Sequence, residues 1–247
     1  DRDLDLLISD LRGSLETAIE RMGQGKFELK AEPLKNRDWN TEWKKYFKPI
    51  KIGQEIIIKP SWESLDEGNP IFSEDSIVIE LDPGLAFGTG THETTRMCLE
   101  FIEKHIKKGM KAYDIGCGSG ILALAAAKLG ASEVLGIDMD GGDVKAAKEN
   151  VKKNNEEETC IIKQGDLLKD LNEPADLVIA NIIFDVVLSL LETAAPFVKK
   201  KGLFIVSGIL EEKTEEMTNA VDESENFDLI EKKTENGWTA MVLKRRD

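Results

Sequence analysis

"AYDIGCGSGIL" occupies positions 112–122. A short β-prone run carries Asp114 and then breaks at Gly116, Gly118 and Gly120. The apolar, alanine-rich "ILALAAAKL" (121–129) that follows is a strong helix former closed by Gly130. A strand, a glycine turn and a helix make the first half of a βαβ unit. Outward from it the same alternation repeats. Strand "EVLGI" (133–137) precedes a helical pattern around "DVKAAKENVKKN" (143–154), and strand "TCIIK" (159–163) precedes a loop. Strand "ADLVIA" (175–180) precedes a helix expected from about Phe184 to Lys200, and "LFIVSG" (203–208) a charged helix near 211–221. Such alternation requires right-handed crossovers and a parallel sheet covered on both faces. The end departs from it. "FDLIEKK" (227–233) and "WTAMVLKR" (238–245) flank Asn236-Gly237, a hairpin signal, so the last two strands are expected to be antiparallel neighbours. The fold class is α/β: a doubly wound, mostly parallel, seven-stranded Rossmann-like sheet with a C-terminal antiparallel hairpin, plus a small partial α+β N-terminal segment.

Before this core, Leu4, Leu7, Ile8, Leu11, Leu15, Ile19 and Met22 fall at helical spacing with one face to bury, and "KFELKAEPL" (26–34) alternates like a strand. One helix and one strand cannot stand alone, so this segment is expected to pack on the rest, on another chain or on further residues. "DWNTEWKKYFKPIKI" (38–52) sets Trp39, Trp43, Tyr46 and Phe47 at near-helical spacing, as an aromatic hinge or as a cleft wall. "QEIIIKPSW" (54–62) and "SIVIEL" (76–81) read as short strands. A helix from Thr91 places Cys98, Phe101, Ile102 and Ile106 on one face, with Gly109 as its C-cap. Residues 1–37 are read as a partial N-terminal segment, 38–70 as an aromatic linker with short strands, and 71–247 as the main α/β domain.

The 247 residues allow one large domain, or one with an appendage. No apolar run approaches the roughly 18 residues of a membrane span. The first residues lack the basic flank and apolar core of a signal peptide. Cys98, Cys117 and Cys160 are widely spaced with no CxxC, against a disulfide framework or a zinc site. A cytoplasmic protein is expected. The formal charge of −14 argues against a general phosphate-binding surface and suits a basic partner. The basic runs Lys199-Lys200-Lys201 and Lys244-Arg245-Arg246 are read as solvated ends, the first at a helix terminus.

In a doubly wound sheet, ligands sit at the carboxyl ends of the strands near the switch point. Gly116, Gly118 and Gly120 there permit positive φ and close approach, and the helix-start N–H groups are expected to hold an anionic group. The spacing is G-x-G-x-G; the dinucleotide form G-x-G-x-x-G/A would need Gly or Ala where Ile121 stands, and no GK[ST] follows. Asp138 closes the second strand and is placed to accept from both ribose hydroxyls of an adenosine, the alternative being a turn or cap. Asp166 is an acceptor for an adenine amino group or a turn residue. Asn181, ending the fourth strand, offers an acceptor and two donors near a reacting group, or simply ends the strand. "LDPGLAFGTGTHETT" (81–95) is too rich in Gly and Thr to fill a core. Its His92 has no Cys or second His nearby in sequence, so no metal is expected.

D-x-G-x-G-x-G, the acidic end of strand two and the terminal hairpin together resemble the class I S-adenosylmethionine-dependent methyltransferases. "DPGLAFGTGTHETT", "DIGCGSGILALAAAKLGA", "GIDMD", "ANII" and "SGIL", with "PSWE" and the aromatic run, resemble the ribosomal protein L11 methyltransferase family from about Asp38 to Leu210. The resemblance implies S-adenosyl-L-methionine as cofactor, with contacts at Thr95, Gly116, Asp138 and Asn181. It also implies that 81–95 folds over the methionine end of the cofactor, with Phe87 as an apolar wall near the sulfonium and His92 orienting the loop or the substrate; core packing and capping are their alternatives. The implied partner is ribosomal protein L11, methylated on lysine side chains and the N-terminal amine. His92-Glu93-Thr94, Asp140-Gly141-Gly142-Asp143 and a shortened N-terminus depart from the family pattern. Competing readings are a related enzyme acting on another protein's lysines, a nucleic-acid amino-methylase (against which Asn181-Ile182-Ile183-Phe184 and the charge count), and a non-catalytic cofactor-binding module.

Overall fold

The computed structural model describes residues 2–22, 47–65, 68–82, 88, 90–169 and 171–247, and among them the alternating apolar runs and the helical spacings form ten strands and six α-helices. Two units separate, Asp1–Tyr46 and Phe47–Asp247. The first holds α1 (Arg2–Met22), on which Leu11 and Leu15 are exposed. The predicted strand at 26–34 and Trp39, Trp43 and Tyr46 lie outside the described residues.

The second unit runs β1 (Ile50–Ile52), β2 (Ile56–Lys59), β3 (Ile77–Glu80), α2 (Glu93–His105), β4 (Lys111–Ile115), α3 (Ile121–Lys128), β5 (Glu133–Asp138), α4 (Gly141–Lys153), β6 (Cys160–Gln164), β7 (Ala175–Asn181), α5 (Phe184–Thr193), β8 (Val198–Leu210), α6 (Thr214–Glu223), β9 (Phe227–Glu235) and β10 (Trp238–Arg245). β1, β2 and β3 form a small sheet, β1 antiparallel and β3 parallel to β2. The large sheet has seven strands in the order β6-β5-β4-β7-β8-β10-β9. All are parallel except β10, which runs against both β8 and β9. Asn236 and Gly237, with φ of 48° and 82°, make the two-residue hairpin that the Asn-Gly pair predicts.

The period of two along each strand sorts the core into two halves. Ala112, Leu177, Ile179 and Ile205 face one side, where α2, α3, α4 and the small sheet pack. Tyr113, Val178, Phe204 and Val206 face the other, under α5, α6 and Phe227.

Two predicted boundaries move. The helix expected from Phe184 to Lys200 stops at Thr193, because Pro196 lies in a 3-10 turn (Ala195–Phe197) and disfavours a helical residue before it. Lys199-Lys200-Lys201 therefore does not end a helix; it opens β8, with Lys201 at φ 63°. Helix α2 ends at His105 with buried Ile106 extended, so Gly109 is not its C-cap. Gly109 turns the chain into β4 at φ 86° instead.

Candidate functional site

Strand order reverses at β4, which has β5 on one side and β7 on the other. An open α/β sheet binds ligands in the crevice outside the carboxyl ends of its strands at such a reversal. A cavity of about 650 Å³ lies there. Gly116 and Gly118 reach it from the turn after β4, Asp138 from the end of β5, Asn181 from the end of β7, and His92 and Thr95 from the start of α2. Asp166 joins from the loop after β6, and apolar Ile121, Ile137, Met139 and Leu167 line the remainder. The volume is that of a pocket enclosing a nucleoside-sized ligand.

The glycine turn is tied to both neighbours. Gly116 and Cys117 N–H groups donate to the Ile137 carbonyl at 2.8 and 3.0 Å. The Gly118 N–H donates to Asp138 Oδ2 at 2.8 Å, and the Asp140 N–H to Asp138 Oδ1 at 3.0 Å. Each Asp138 oxygen thus keeps a lone pair for a further donor. Gly116 has φ 73°, and a Cβ on it would meet Ile182 Cγ2 at 2.4 Å, so the missing side chain lets Ile182 pack directly against the turn at the cavity wall. Four amides of the turn itself are satisfied within the chain. Gly116, Cys117 and Gly118 are satisfied as described, and the Gly120 N–H donates to the Cys117 carbonyl.

Asp114 and Gly120, both candidates from sequence, do not line the cavity. Gly120 begins α3 at φ 79°, with α4 behind it; a Cβ would meet that of Ala147 at 3.1 Å. Having no side chain, Gly120 cannot cap α3, and Asp114 does so from the strand below: its Oδ2 accepts from the Ala123 N–H at 3.0 Å. Asp114 is 1 % exposed, and its Oδ1 has no hydrogen-bond partner among the described residues. Burial, with the Asp138 charge adding to it, pushes this carboxyl up to about 7. Cys117 also lines the cavity, but burial raises its thiol well above the usual range, so it is no nucleophile.

On the other flank, Asn181 Nδ2 donates to Thr95 Oγ1 at 3.4 Å, joining residues 86 positions apart. Thr95 is fully buried, so it anchors the half-buried amide and leaves Asn181 Oδ1 as its acceptor. His92 caps α2, its Nδ1 2.8 Å from Thr94 Oγ1, and its ring meets Trp238 edge-on with centroids 5.2 Å apart. Ser119 Oγ donates to the Gly88 carbonyl at 2.6 Å, fastening the 81–95 stretch to the glycine turn. Asp166 is exposed and ion-paired with Lys169. Phe87 lies outside the described residues.

Several lining residues escaped the sequence reading. Trp238 comes from the hairpin, far along the chain, and its only sequence signal was a tryptophan directly after a turn. Met139 and Ile183 are 74 % and 70 % exposed. Each follows a strand-ending polar residue closely, a position where a large apolar side chain is out of place unless something lies against it.

Residues 7–246 match the family model described as ribosomal protein L11 methyltransferase. The chain is 46 % identical over 222 residues to a ribosomal protein L11 methyltransferase of Caldanaerobacter subterraneus subsp. tengcongensis, covering 90 % of this chain and 69 % of that one. It is 42 % identical over 246 residues to one of Clostridium botulinum, covering 99 % and 76 %. Among solved structures, a ribosomal protein L11 methylase from Lactobacillus delbrueckii subsp. bulgaricus superposes with a TM-score of 0.73 at 33 % identity, covering 81 % of this chain and 100 % of that one. A tRNA methyltransferase from B. subtilis, at 20 % identity and TM-score 0.51, shares the fold alone.

Proposed function

The chain belongs to the ribosomal protein L11 methyltransferase family and is a methyltransferase, and on that premise we propose that it transfers methyl groups from S-adenosyl-L-methionine to lysine side-chain and N-terminal amines of ribosomal protein L11. The observation that carries this reading is the convergence of a side-chain-free turn, a carboxylate with spare lone pairs and a fixed amide on one cavity at the switch point.

The residues fit the cofactor. Asp138 would accept from the two ribose hydroxyls, and apolar Ile137, Met139 and Leu167 would flank the base. Asp166 would accept from the exocyclic amino group once turned from Lys169. Gly116 would allow the amino-acid part to approach the backbone, beside Thr95 and Asn181. When bound, the cofactor supplies a methyl group already activated on a cationic sulfur.

The remaining work falls to the chain itself. An ordinary lysine amine, with a pKa of about 10.4, is almost wholly protonated at neutral pH and has no lone pair to offer. Mostly apolar walls disfavour the ammonium form and favour loss of its proton to solvent before closure. Asn181 Oδ1 accepts an N–H of the neutral amine and thereby aims its lone pair, with Thr95 holding the amide still. The net charge of −14 draws in a basic protein substrate.

The test is isothermal titration of S-adenosylmethionine into the parent and Asp138→Ala. The expected result is clear binding that weakens about tenfold or more in the variant, a loss of about 1.4 kcal/mol. Mass spectrometry of ribosomal protein L11 after incubation with both then reads methyl transfer. A folded parent that does not bind the cofactor overturns the reading.

A further inference from the structure

Trp238 opens β10 and lines the candidate cavity. Among the described lining residues only Trp238 and His92 carry aromatic rings, and none is a lysine or an arginine. Strand order puts β10 beyond β7 and β8, on the side away from β5, so the indole flanks the Asn181 end of the cavity rather than the Asp138 end. It shares the α2 face of the sheet with Ala240 and Val242.

The ring is built into the site on a hairpin tied to its surroundings. Trp238 pairs with Glu235 of β9 and with Leu210 of β8. Arg96 on α2 meets Glu235 at 2.8 Å, and Asn236 Nδ2 donates to Glu93 Oε1 at 3.1 Å, so the turn is fastened to α2 twice. Next in the chain, the buried Thr239 Oγ1 lies 2.7 Å from Thr214 Oγ1 and 2.8 Å from Thr234 Oγ1. β8 carries one residue more than β10 between the Thr239 and Met241 pairs, a bulge of the kind that re-aims a nearby side chain. His92 meets the indole at 67°, a T-shaped contact that takes at most one face of the ring.

A lysine nitrogen loses one N–H with every methyl it gains. In each transfer its lone pair forms the new N–C bond while the C–S bond breaks. The bonding pair stays on sulfur, which becomes neutral, and nitrogen takes the positive charge. After the first and second transfers the product ammonium releases a proton to solvent and regains a lone pair. The primary and monomethyl amines still offer an N–H to Asn181 Oδ1, and that bond strengthens as charge grows on nitrogen. The dimethyl amine has no N–H, so Asn181 can neither aim it nor answer the charge that forms. An indole face does both for a nitrogen covered in methyl groups: apolar contact seats the methyls, and the ring quadrupole attracts the quaternary cation.

We propose that Trp238 is the specificity-determining residue for the third transfer onto one nitrogen, holding the dimethyl amine by its methyl groups and stabilising the trimethylammonium as it forms. That the reacting group is an amine rests on the proposed function.

The test compares the first transfer with the third. Ribosomal protein L11 reads the first, and the same protein reductively dimethylated with formaldehyde reads the third alone, both followed by mass spectrometry at saturating S-adenosylmethionine. Trp238→Leu keeps an apolar side chain without the quadrupole. It should slow the first transfer about threefold and the third about thirtyfold, as loss of a partly desolvated cation–π contact would. The ratio of the two rates then changes about tenfold, or about 1.4 kcal/mol. Trp238→Phe should keep that ratio within about threefold of the parent. Asn181→Ala should move it the opposite way, since only an amine with an N–H uses that acceptor. Equal slowing of both transfers in Trp238→Leu, or no slowing of either, overturns the proposal. So does a parent that methylates the unmodified protein but not the dimethylated one. A folded parent that binds no S-adenosylmethionine, or transfers nothing to the unmodified protein, overturns the proposed function and this inference with it.

Discussion

Replacing Asp114 by Asn should change how stability depends on pH rather than simply lower it. The buried carboxyl titrates at about 7 in the folded chain, against 3.8 ordinarily. A carboxyl raised on folding contributes fully below its unfolded value, and its contribution is lost as pH climbs through the folded one, because the unfolded chain releases the proton first. In that window the folded state holds one more proton, and stability falls by up to about 1.4 kcal/mol per pH unit. With those two values the cost is about 2 kcal/mol at pH 5 and about 4 kcal/mol at pH 8, a difference of about 2 to 3 kcal/mol. Asn keeps an acceptor for the Ala123 N–H but cannot ionise. It also places a donor where Oδ1 now stands, at a fixed cost that does not vary with pH. The assay is urea denaturation of both proteins at pH 5 and pH 8. Subtracting the two cancels the carboxylates held below their usual range, such as Asp176 and Glu231, which are present in both. The stability of the variant relative to the parent should rise by about 2 to 3 kcal/mol between the two pH values. A relative stability that stays within about 0.5 kcal/mol, well below the single-group slope, would refute the assignment of a neutral, helix-capping Asp114.

Gly208→Ala and Gly237→Ala share a φ of 82° but differ in surroundings: the new Cβ would lie 1.9 Å from the Ile182 carbonyl oxygen in the first and within 4 Å of nothing in the second. Urea denaturation should show a loss above about 3 kcal/mol for Gly208→Ala and about 1 kcal/mol for Gly237→Ala. Thr95→Val removes both a cofactor contact and the acceptor that steadies Asn181, so cofactor affinity and kcat for methyl transfer should each drop about tenfold; Asn181→Ala should lose about a hundredfold in kcat, and an unchanged cofactor affinity in Thr95→Val would indicate that Thr95 only positions the amide.

Local patterns carried the large sheet. Alternating apolar residues mark strands whichever neighbour they find, and the glycine turn after Asp114 and the Asn-Gly pair fix local geometry by sterics alone. Parallel order, hairpin and switch point could therefore be read in chain order. The ends Asp138 and Asn181 were legible for the same reason, since a strand's last polar residue faces the crevice once the topology is known. Boundaries were less so. Apolar spacing continues past Thr193 and predicts a longer helix after β7, while Pro196 stops it.

What sequence could not supply was everything decided by contact between distant segments. No pattern links Thr95 to Asn181, or Trp238 to His92, because each pair is made by packing α2 against the sheet and its hairpin. Nor did spacing distinguish Asp114 from Asp138. Both are acids at strand ends, but in the pairing of β4 with β5 Asp114 stands opposite Gly136, two residues short of Asp138, so Asp114 lies under α3, where burial raises its pKa, while Asp138 reaches the cavity. The lysine runs looked like solvated ends one at a time, and only the antiparallel return of β10 beside β8 brings Lys244 to Lys200. Steric and hydrophobic preferences act along the chain and are written in it, whereas burial, electrostatic shift and convergence arise only when the chain has closed on itself.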